Sequence, residues 1–264
     1  AMNMAGGNPI TYPALSVYAE QIMPWFKVSD LMEEKMKVGG NWEVAKRGEK
    51  VEVPADRKER IHTAMLAAYF GLCSEILDSG ITNVSDFEMA LSVALDMKPP
   101  FETMNKHGVA ESLKMVEAYA AEFDGFRIAK CLQDQAASGK PWTIPYVIRE
   151  DQGNVAIIKI RRPKVLNALN DEAFSQIEEH VQQVDADDNL IGSVLTAFGV
   201  KAFVSGADVG FLAKIDSAAM GERTSAGSQA SLNVVEDVKK PIVCAMNGFA
   251  FGGGNELAMA CGAR

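Results

Sequence analysis

Two glycine-marked turns stand out as places where this sequence could do chemistry. The first is "KAFVSGADVGFL", where Gly206 precedes Ala207 as a strand pattern gives way to a helix pattern. The second is "NGFAFGGGNELAMA", where three glycines are followed by Asn255 and then Glu256. Glycine permits backbone conformations and close approaches that other residues disfavour. A turn that enters a helix also presents unpaired N–H groups and the positive end of the helix dipole.

These residue types suit a reaction in which negative charge grows on a carbonyl oxygen. Two main-chain N–H groups from such turns, converging on one point, would form an oxyanion hole. Glu256, in the first turn of the second helix, would then move a proton to or from carbon or water. A structural alternative stays open, because glycine turns before helices are common and a glutamate there also favours the helix dipole.

Composition and motifs argue against several other classes of function. The formal net charge is −9, whereas a nucleic-acid-binding domain normally carries a basic stripe. Neither the dinucleotide-binding G-x-G-x-x-G pattern nor the G-K-[ST] of a P-loop occurs, and no apolar run reaches transmembrane length. The cysteines lack metal-ligand spacing; they are Cys73, Cys131, Cys244 and Cys261. We expect a cytoplasmic protein with reduced thiols, no metal, no nucleic-acid partner and no membrane span.

The first half of the chain is predicted to be helical. A stripe of apolar residues at helical spacing comprises Ile61, Met65, Tyr69, Leu72 and Ile76. Ser85 is predicted to cap the next helix, with Glu88 completing a capping box. Apolar residues over 109–123 and 128–132 predict two more helices. Residues 50–146 are therefore predicted to form an all-helical domain.

An internal similarity at an offset of 100 residues links the start of the chain to this domain. The interval from Phe26 to Trp42 matches the interval from Phe126 to Trp142 in length and at several positions between. We expect residues 1–49 to be the tail of a preceding copy of the helical domain, followed by a linker. Chance similarity of one short helix is the alternative.

After Trp142 the pattern changes to alternating strands and helices. "YVIREDQGNVAIIKIRRP" predicts a hairpin that turns at residues 152–154. A helix follows, with the stripe Phe174, Ile177, Val181 and Val184. "IGSVLTAF", "KAFVSGAD" and "PIVCAMNG" predict strands, and a long helical span is expected over about 208–238. Residues 147–264 are therefore predicted to form an α/β layer structure.

The segments "RRPKVLNALN", "KAFVSGADV" and "GFAFGGGNELAMAC", in this order, resemble the crotonase (enoyl-CoA hydratase/isomerase) superfamily. The resemblance implies the crotonase-like fold and an acyl-CoA substrate. The amides at Ala207 and Gly253 would hold the thioester oxygen, and Glu256 would work with a second glutamate further downstream. The segments that cradle the CoA correspond to Ala168, Lys201, Ala202, Phe203, Ser205, Gly206, Asp208 and Gly252.

Two departures from that family affect the expected activity. Gly262 stands where an aspartate is usual, and no residue of the chain matches the second glutamate. We expect the chain to be the N-terminal part of the crotonase module, with little hydratase activity alone. The crotonase resemblance also implies a homo-oligomer.

The segment from "MLAAYFGLCSEILDSGITNVSDFEMAL" to "PPFETMNKHGV" resembles the C-terminal helical domain of 3-hydroxyacyl-CoA dehydrogenases. The resemblance implies a bifunctional parent whose NAD-binding domain, absent from this chain, oxidises the hydration product. Gly71 occupies the position of that family's catalytic asparagine, so we expect a non-catalytic copy.

Two alternative functions stay open at this point. One is another crotonase-type reaction, namely double-bond isomerisation or thioester hydrolysis, because the oxyanion hole is common to all of them. The other is a helical scaffold joined to an inert α/β segment.

Overall fold

The structure is a computed structural model that describes residues 7–23, 25–39, 42, 44–46 and 48–264. The chain divides into two units, the first formed by Ala1–Thr82 with Pro100–Trp142 and the second by Asn83–Pro99 with Thr143–Arg264. The domain boundaries expected after residues 49 and 146 stay predictions. The segment 83–99, which those boundaries place in the helical domain, groups with the second unit.

In its described residues, the first unit contains helices and no strand. They are α1 (Asn8–Gln21), α2 (Asp30–Lys37), α3 (Ala55–Asp78), α5 (Pro100–His107), α6 (Val109–Glu122) and α7 (Lys130–Ala137). The helices predicted over 109–123 and 128–132 are thus confirmed as α6 and α7.

The buried face of α3 differs from the predicted stripe. Ile61 and Met65 are 49% and 69% exposed, so this part of the prediction was wrong. The buried residues of α3 are Ala67, Phe70, Gly71, Cys73 and Ser74. Four of these five side chains are small, and small side chains allow neighbouring helices to pack closely, which a stripe drawn from large apolar residues does not reveal.

The offset of 100 residues appears in the helix boundaries as well as in the sequence. Helices α2 and α7 begin at Asp30 and Lys130 and end at Lys37 and Ala137. After each helix, a glycine adopts a φ of 65°, at Gly39 and at Gly139. This is a common helix C-terminal arrangement. The match supports the proposed duplication, which stays a prediction.

The second unit begins with α4 (Val84–Met89), which continues as a π-helix (Ala90–Ala94). The predicted cap at Ser85 was wrong, because the Asn83 side chain accepts the N–H of Asp86 at 2.9 Å and starts the helix earlier. Asn83 satisfies the free amide with an ordinary N-cap geometry. The Ser85 hydroxyl instead donates to the carbonyl of Pro145 at 3.3 Å.

The rest of the second unit alternates strands and helices. They are β1 (Val147–Gln152), β2 (Val155–Ile160), α8 (Asp171–Ala186), β3 (Gly192–Ala197), β4 (Ala202–Val204), α9 (Val209–Leu212), α10 (Ala218–Asp237), β5 (Ile242–Cys244), β6 (Phe249–Ala250) and α11 (Gly253–Ala260). A 3-10 turn (Pro163–Val165) follows β2. The helical span expected over about 208–238 is confirmed and consists of two helices, α9 and α10, with Ser217 capping the second.

Two sheets organise this unit. The larger has the order β1-β2-β3-β5, with β1 and β2 antiparallel and the other pairs parallel. The predicted hairpin is confirmed, and Gly153 at its turn has a φ of 62°. The smaller sheet pairs β4 with β6 in parallel. The unit is therefore an α/β structure, as the sequence predicts.

The core of the second unit lies between the larger sheet and α8. Alternate residues of β2 are buried, and Ile158 and Ile160 are fully buried. Ile177, Val181 and Val184 of the predicted α8 stripe are buried with them, while Phe174 is only partly buried. Full burial of each of these large apolar side chains stabilises the fold by about 1.5–3 kcal/mol.

The three glycines before Glu256 have different structural roles. Gly252 has a φ of 47°, a conformation that side chains disfavour. A Cβ on Gly253 would meet only the Leu169 side chain, at 4.0 Å. A Cβ on Gly254 would lie 2.5 Å from the carbonyl oxygen and 2.6 Å from the Cβ of Val204. Gly254 therefore lets α11 pack directly against β4.

We predict that Gly254→Ala lowers the free energy of unfolding by about 1–3 kcal/mol, because Val204 must move to admit the methyl group. Gly227→Ala is the matched control, since Gly227 lies on an exposed part of α10 and a Cβ there meets nothing within 4 Å. That control is expected to gain about 0.5–1 kcal/mol from its lower unfolded-state entropy. Urea unfolding measures both, and a Gly254→Ala variant as stable as the wild type would contradict the packing role.

Candidate functional site

The two glycine turns leave the same end of the parallel pair β4–β6 and lie side by side. Val204 pairs with Ala250, and the N–H of Phe251 donates to the Val204 carbonyl at 3.0 Å. A Cβ on Gly252 would lie 4.0 Å from the Cα of Gly206, and a Cβ on Gly206 would lie 3.3 Å from the Phe251 carbonyl oxygen. Gly206 also has a φ of 113°. Both turns therefore need glycine where they meet.

The main-chain N–H groups of Ala207 and Gly253 donate to no acceptor among the described residues. Ala207 is exposed, and Gly253 is half-buried as the first residue of α11. By contrast, the N–H groups of Gly254, Asn255 and Glu256 are satisfied by carbonyls of Phe251 and Gly252. The two amides expected to bind the oxyanion are thus available for a ligand.

Leu169 connects the two turns. Its N–H donates to the Gly206 carbonyl at 2.9 Å, and its carbonyl accepts the N–H of Asp208 at 2.7 Å. These bonds hold Ala207 from both sides and leave its own N–H unpaired. The side chain of Leu169 also lies beside Gly253, at 4.0 Å from the position of a Cβ there. Leu169 is fully buried, so close packing fixes its position between the two turns.

Asp208 fixes the exit of the first turn through a buried ion pair. Its carboxylate accepts a hydrogen bond from Arg162 Nη2 at 2.7 Å, and their side chains are 16% and 11% exposed. The same carboxylate caps α9 by accepting the N–H groups of Gly210 and Phe211. Burial disfavours the ionised carboxylate, but Arg162 and these two amides outweigh it and hold the pKa of Asp208 below its usual range.

Arg162 makes further contacts that keep this ion pair in place. It donates to the Ala168 carbonyl, and its guanidinium lies 4.8 Å from the centre of the Tyr146 ring. Its own N–H donates to Asn167 Oδ1 at 3.0 Å, and Asn167 adopts a φ of 57°. Neither Arg162 nor Asn167 was singled out from the sequence. The signal available was an arginine and an asparagine flanking a proline turn just before Ala168.

Glu256 lies in the first turn of α11, three residues after Gly253. Residues at this spacing share one face of a helix. Its side chain is exposed and forms no hydrogen bond or ion pair with any described residue. The carboxylate therefore does not cap the helix through a hydrogen bond. It is accessible for the proton transfer expected of it.

The other residues expected to cradle the CoA lie in different environments. The side chains of Ala168, Ala202 and Phe203 are buried, so only their backbone is available to a ligand. Lys201 is exposed. Ser205 binds the preceding loop, since its hydroxyl donates to the Val165 carbonyl at 3.2 Å. The role of these residues in binding CoA stays a prediction.

The histidines and cysteines take no part in this site. The His180 ring contacts the Val147 carbonyl at 3.3 Å, while the His107 ring lies near Phe70 and His62 is exposed. All four cysteines are free, and burial followed by the charge of Asp78 raises the pKa of Cys131 to about 11. Within the described ranges, no group of three potential metal ligands exists and no helix has the length and apolarity needed to cross a membrane.

Gly71 is a packing residue. A Cβ there would lie 2.5 Å from Cε1 and 2.6 Å from Cζ of the Phe126 ring. An asparagine would therefore require Phe126 to leave its place. That the helical unit is a non-catalytic copy stays a prediction.

We predict that Asp208→Asn lowers the free energy of unfolding at pH 7 by about 1–3 kcal/mol, because Arg162 then loses its charged partner. Since folding lowers the Asp208 pKa, its contribution is full above the unfolded pKa of about 3.9 and disappears as the pH falls through the lower folded pKa.

Urea unfolding at several pH values measures this difference. Glu150→Gln is the control, because the Glu150 carboxylate is 51% exposed and 3.4 Å from Lys159. A difference between wild type and Asp208→Asn that stays constant below pH 4 would contradict this account.

Residues 150–264 match the protein-family model for enoyl-CoA hydratase/isomerase. The chain is 36% identical over 118 residues to the short-chain-enoyl-CoA hydratase of Clostridium acetobutylicum, covering 45% of each protein. It is 38% identical over 115 residues to the crotonyl-CoA hydratase of Syntrophomonas wolfei, covering 44% of each. A crystal structure of enoyl-CoA hydratase from Bacillus anthracis aligns with a TM-score of 0.43 at 26% identity, over 45% of this chain and 47% of that one.

The chain thus spans less than half the length of the curated relatives it matches. The match includes both glycine turns and Glu256. The resemblance expected for the second half of the chain is confirmed: residues 150–264 share the sequence pattern of the enoyl-CoA hydratase/isomerase family.

Proposed function

We propose that the second unit binds an acyl-CoA thioester and acts in the hydration of 2-enoyl-CoA to 3-hydroxyacyl-CoA. The observation that carries this proposal is the pair of unpaired N–H groups, at Ala207 and Gly253, on two turns in contact. Glu256 follows on the same helix as Gly253 with a carboxylate that no described residue engages. The similarity to hydratases supports the same reaction.

The chemistry requires stabilisation of an enolate. Addition of hydroxide from water to C3 of the enoyl thioester moves charge onto the thioester oxygen. C2 then takes up a proton, which the second glutamate implied by the resemblance would donate. Both N–H groups would donate to that oxygen, and each such donor contributes about 10²–10³-fold in rate. Glu256 would orient the water and accept its proton as the C3–O bond forms.

The proposal extends to the parent protein. The helical unit resembles the C-terminal domain of 3-hydroxyacyl-CoA dehydrogenases, and the hydration product is the substrate of such an enzyme. We propose that the parent couples the two reactions, with NAD bound by a separate domain and the helical unit serving as a non-catalytic copy. The matching bounds of α2 and α7 and the packing of Gly71 support this. A cytoplasmic location and self-association stay predictions.

Substitution of Gly253 tests the oxyanion hole directly. Proline is tolerated at the first position of a helix, so Gly253→Pro removes the N–H while keeping α11. We predict that it weakens the affinity for acetoacetyl-CoA by about tenfold, the loss of one hydrogen bond to a charged oxygen. Gly253→Ala keeps the N–H and has room for the methyl group, so it is expected to bind as the wild type does. Calorimetry measures both, and equal affinities for the two variants would refute the role of this amide.

A second prediction concerns the rate of hydration. Because one of the two glutamates of the resembling hydratases has a counterpart here, we expect this chain alone to hydrate crotonyl-CoA slowly. Glu256→Gln is expected to lower the remaining rate by a further ~10²–10⁴-fold while leaving the acetoacetyl-CoA affinity within about twofold. Loss of the enoyl-thioester absorbance measures the rate. Unchanged hydration by Glu256→Gln would exclude the proton-transfer role.

A further inference from the structure

We infer that residues 83–99, named the bracket from here on, hold the loop 161–168 in the shape that the thioester site requires. Residues that lie more than 50 positions before the family match would then set the affinity for the acyl-CoA. The inference rests on the proposed function for its ligand and on contacts within the second unit for its mechanism.

The strongest contact of the bracket is with Arg161. Arg161 Nη1 lies 2.7 Å from Asp86 Oδ1 and 3.1 Å from Ser85 Oγ, and the arginine side chain is only 11% exposed. The hydrogen bond from Arg161 holds the pKa of Asp86 below its usual range. A guanidinium this buried loses hydration, so it needs a charged partner, and the bracket supplies it.

A second set of contacts lies three residues further along the loop. The ammonium group of Lys164 pairs with the carboxylate of Asp96, and the π-helix of the bracket contacts the 3-10 turn that contains Lys164. Asp96 adopts a φ of 51°, which is uncommon outside glycine. Because this pair is exposed, we expect it to contribute less than the Asp86–Arg161 pair to fixing the loop 161–168.

The bracket also supplies carboxylate partners for two of the three basic residues of the loop. In "RRPK", Arg161 pairs with Asp86, Lys164 pairs with Asp96, and Arg162 alone pairs with Asp208. Each basic residue of the loop thus has its own carboxylate partner, and Arg162 holds the first glycine turn through Asp208.

Hydrogen bonds connect the loop 161–168 to the first glycine turn, which contains Ala207. The N–H of Arg162 binds Asn167 Oδ1, and the Asn167 side-chain amide donates to the carbonyls of Phe198 and Ala202, each at 3.0 Å. Two residues later, Leu169 holds Ala207 from both sides. Asp86 is therefore a positioning residue that acts on the Ala207 amide through Arg161 and the loop.

Amide hydrogen exchange followed by mass spectrometry tests the bracket without a ligand. We expect Asp86→Asn and Arg161→Gln to speed exchange in peptides over 161–169 by about three- to tenfold, the effect of one partly buried charged pair. The hairpin β1–β2 is expected to exchange as before. The acetoacetyl-CoA affinity is expected to fall by a similar factor, and Asp86→Glu is expected to restore both.

Asp151→Asn is the matched control. Asp151 pairs with Arg149 at 2.7 Å, and these side chains are 43% and 17% exposed, close to the 55% and 11% of Asp86 and Arg161. It is expected to leave exchange over 161–169 unchanged. If Asp86→Asn unfolds the whole unit, the exposed Asp96→Asn provides the same test with a smaller expected effect.

The outcomes separate the two proposals. Unchanged exchange over 161–169 in Asp86→Asn, or equal acceleration in Asp151→Asn, would overturn the bracket whatever the ligand affinity. Faster exchange with unchanged acetoacetyl-CoA affinity would also overturn its role in binding. A wild-type chain without measurable acetoacetyl-CoA affinity would contradict the proposed function. In that case the exchange data would still show whether the bracket fixes the loop 161–168.

Discussion

Close backbone contact between two turns is the constraint on which the candidate site depends. The parallel pair β4–β6 brings Gly206 beside Phe251 and Gly252, at distances where a Cβ would already touch the other turn. Gly254 removes a further side chain so that α11 packs on Val204. Only this approach places the free amides of Ala207 and Gly253 on adjacent segments. Gly206 and Gly252 are needed for their positive φ angles, and Gly254 is needed for the close approach of α11 to Val204.

An ion pair stabilises the first of these two turns. Arg162, Asp208 and the Ala168 carbonyl form a largely buried network that orders the first turn. Its geometry leaves no ionised partner unpaired, which is the condition under which a buried ion pair is tolerated. At the preceding residue of the loop, Asp86 pairs with Arg161. Stability and the proposed ligand binding are thus expected to depend on the same few side chains.

Some of this arrangement follows from sequence alone, and some does not. The hairpin, β3, β4, β5 and α8 follow from alternation and helical spacing, whereas the two-residue strand β6 is too short to give such a pattern. The glycine turns and Glu256 follow from residue types that suit one chemistry. The buried face of α3 does not, because small residues chosen for close packing look neutral in a hydrophobic pattern. The contact between Asp86 and Arg161 spans 75 positions, and no local pattern reports such a pairing.

The central claim is that the amides of Ala207 and Gly253 donate to the same thioester oxygen. Two-dimensional ¹⁵N–¹H spectra recorded while acetoacetyl-CoA is added test it most directly, because a new hydrogen bond to a charged oxygen moves the amide proton downfield. The account predicts downfield shifts of both amide protons that saturate together, with the Gly254 amide much less affected. Saturation of the protein without a shift at Ala207 and Gly253 would contradict it.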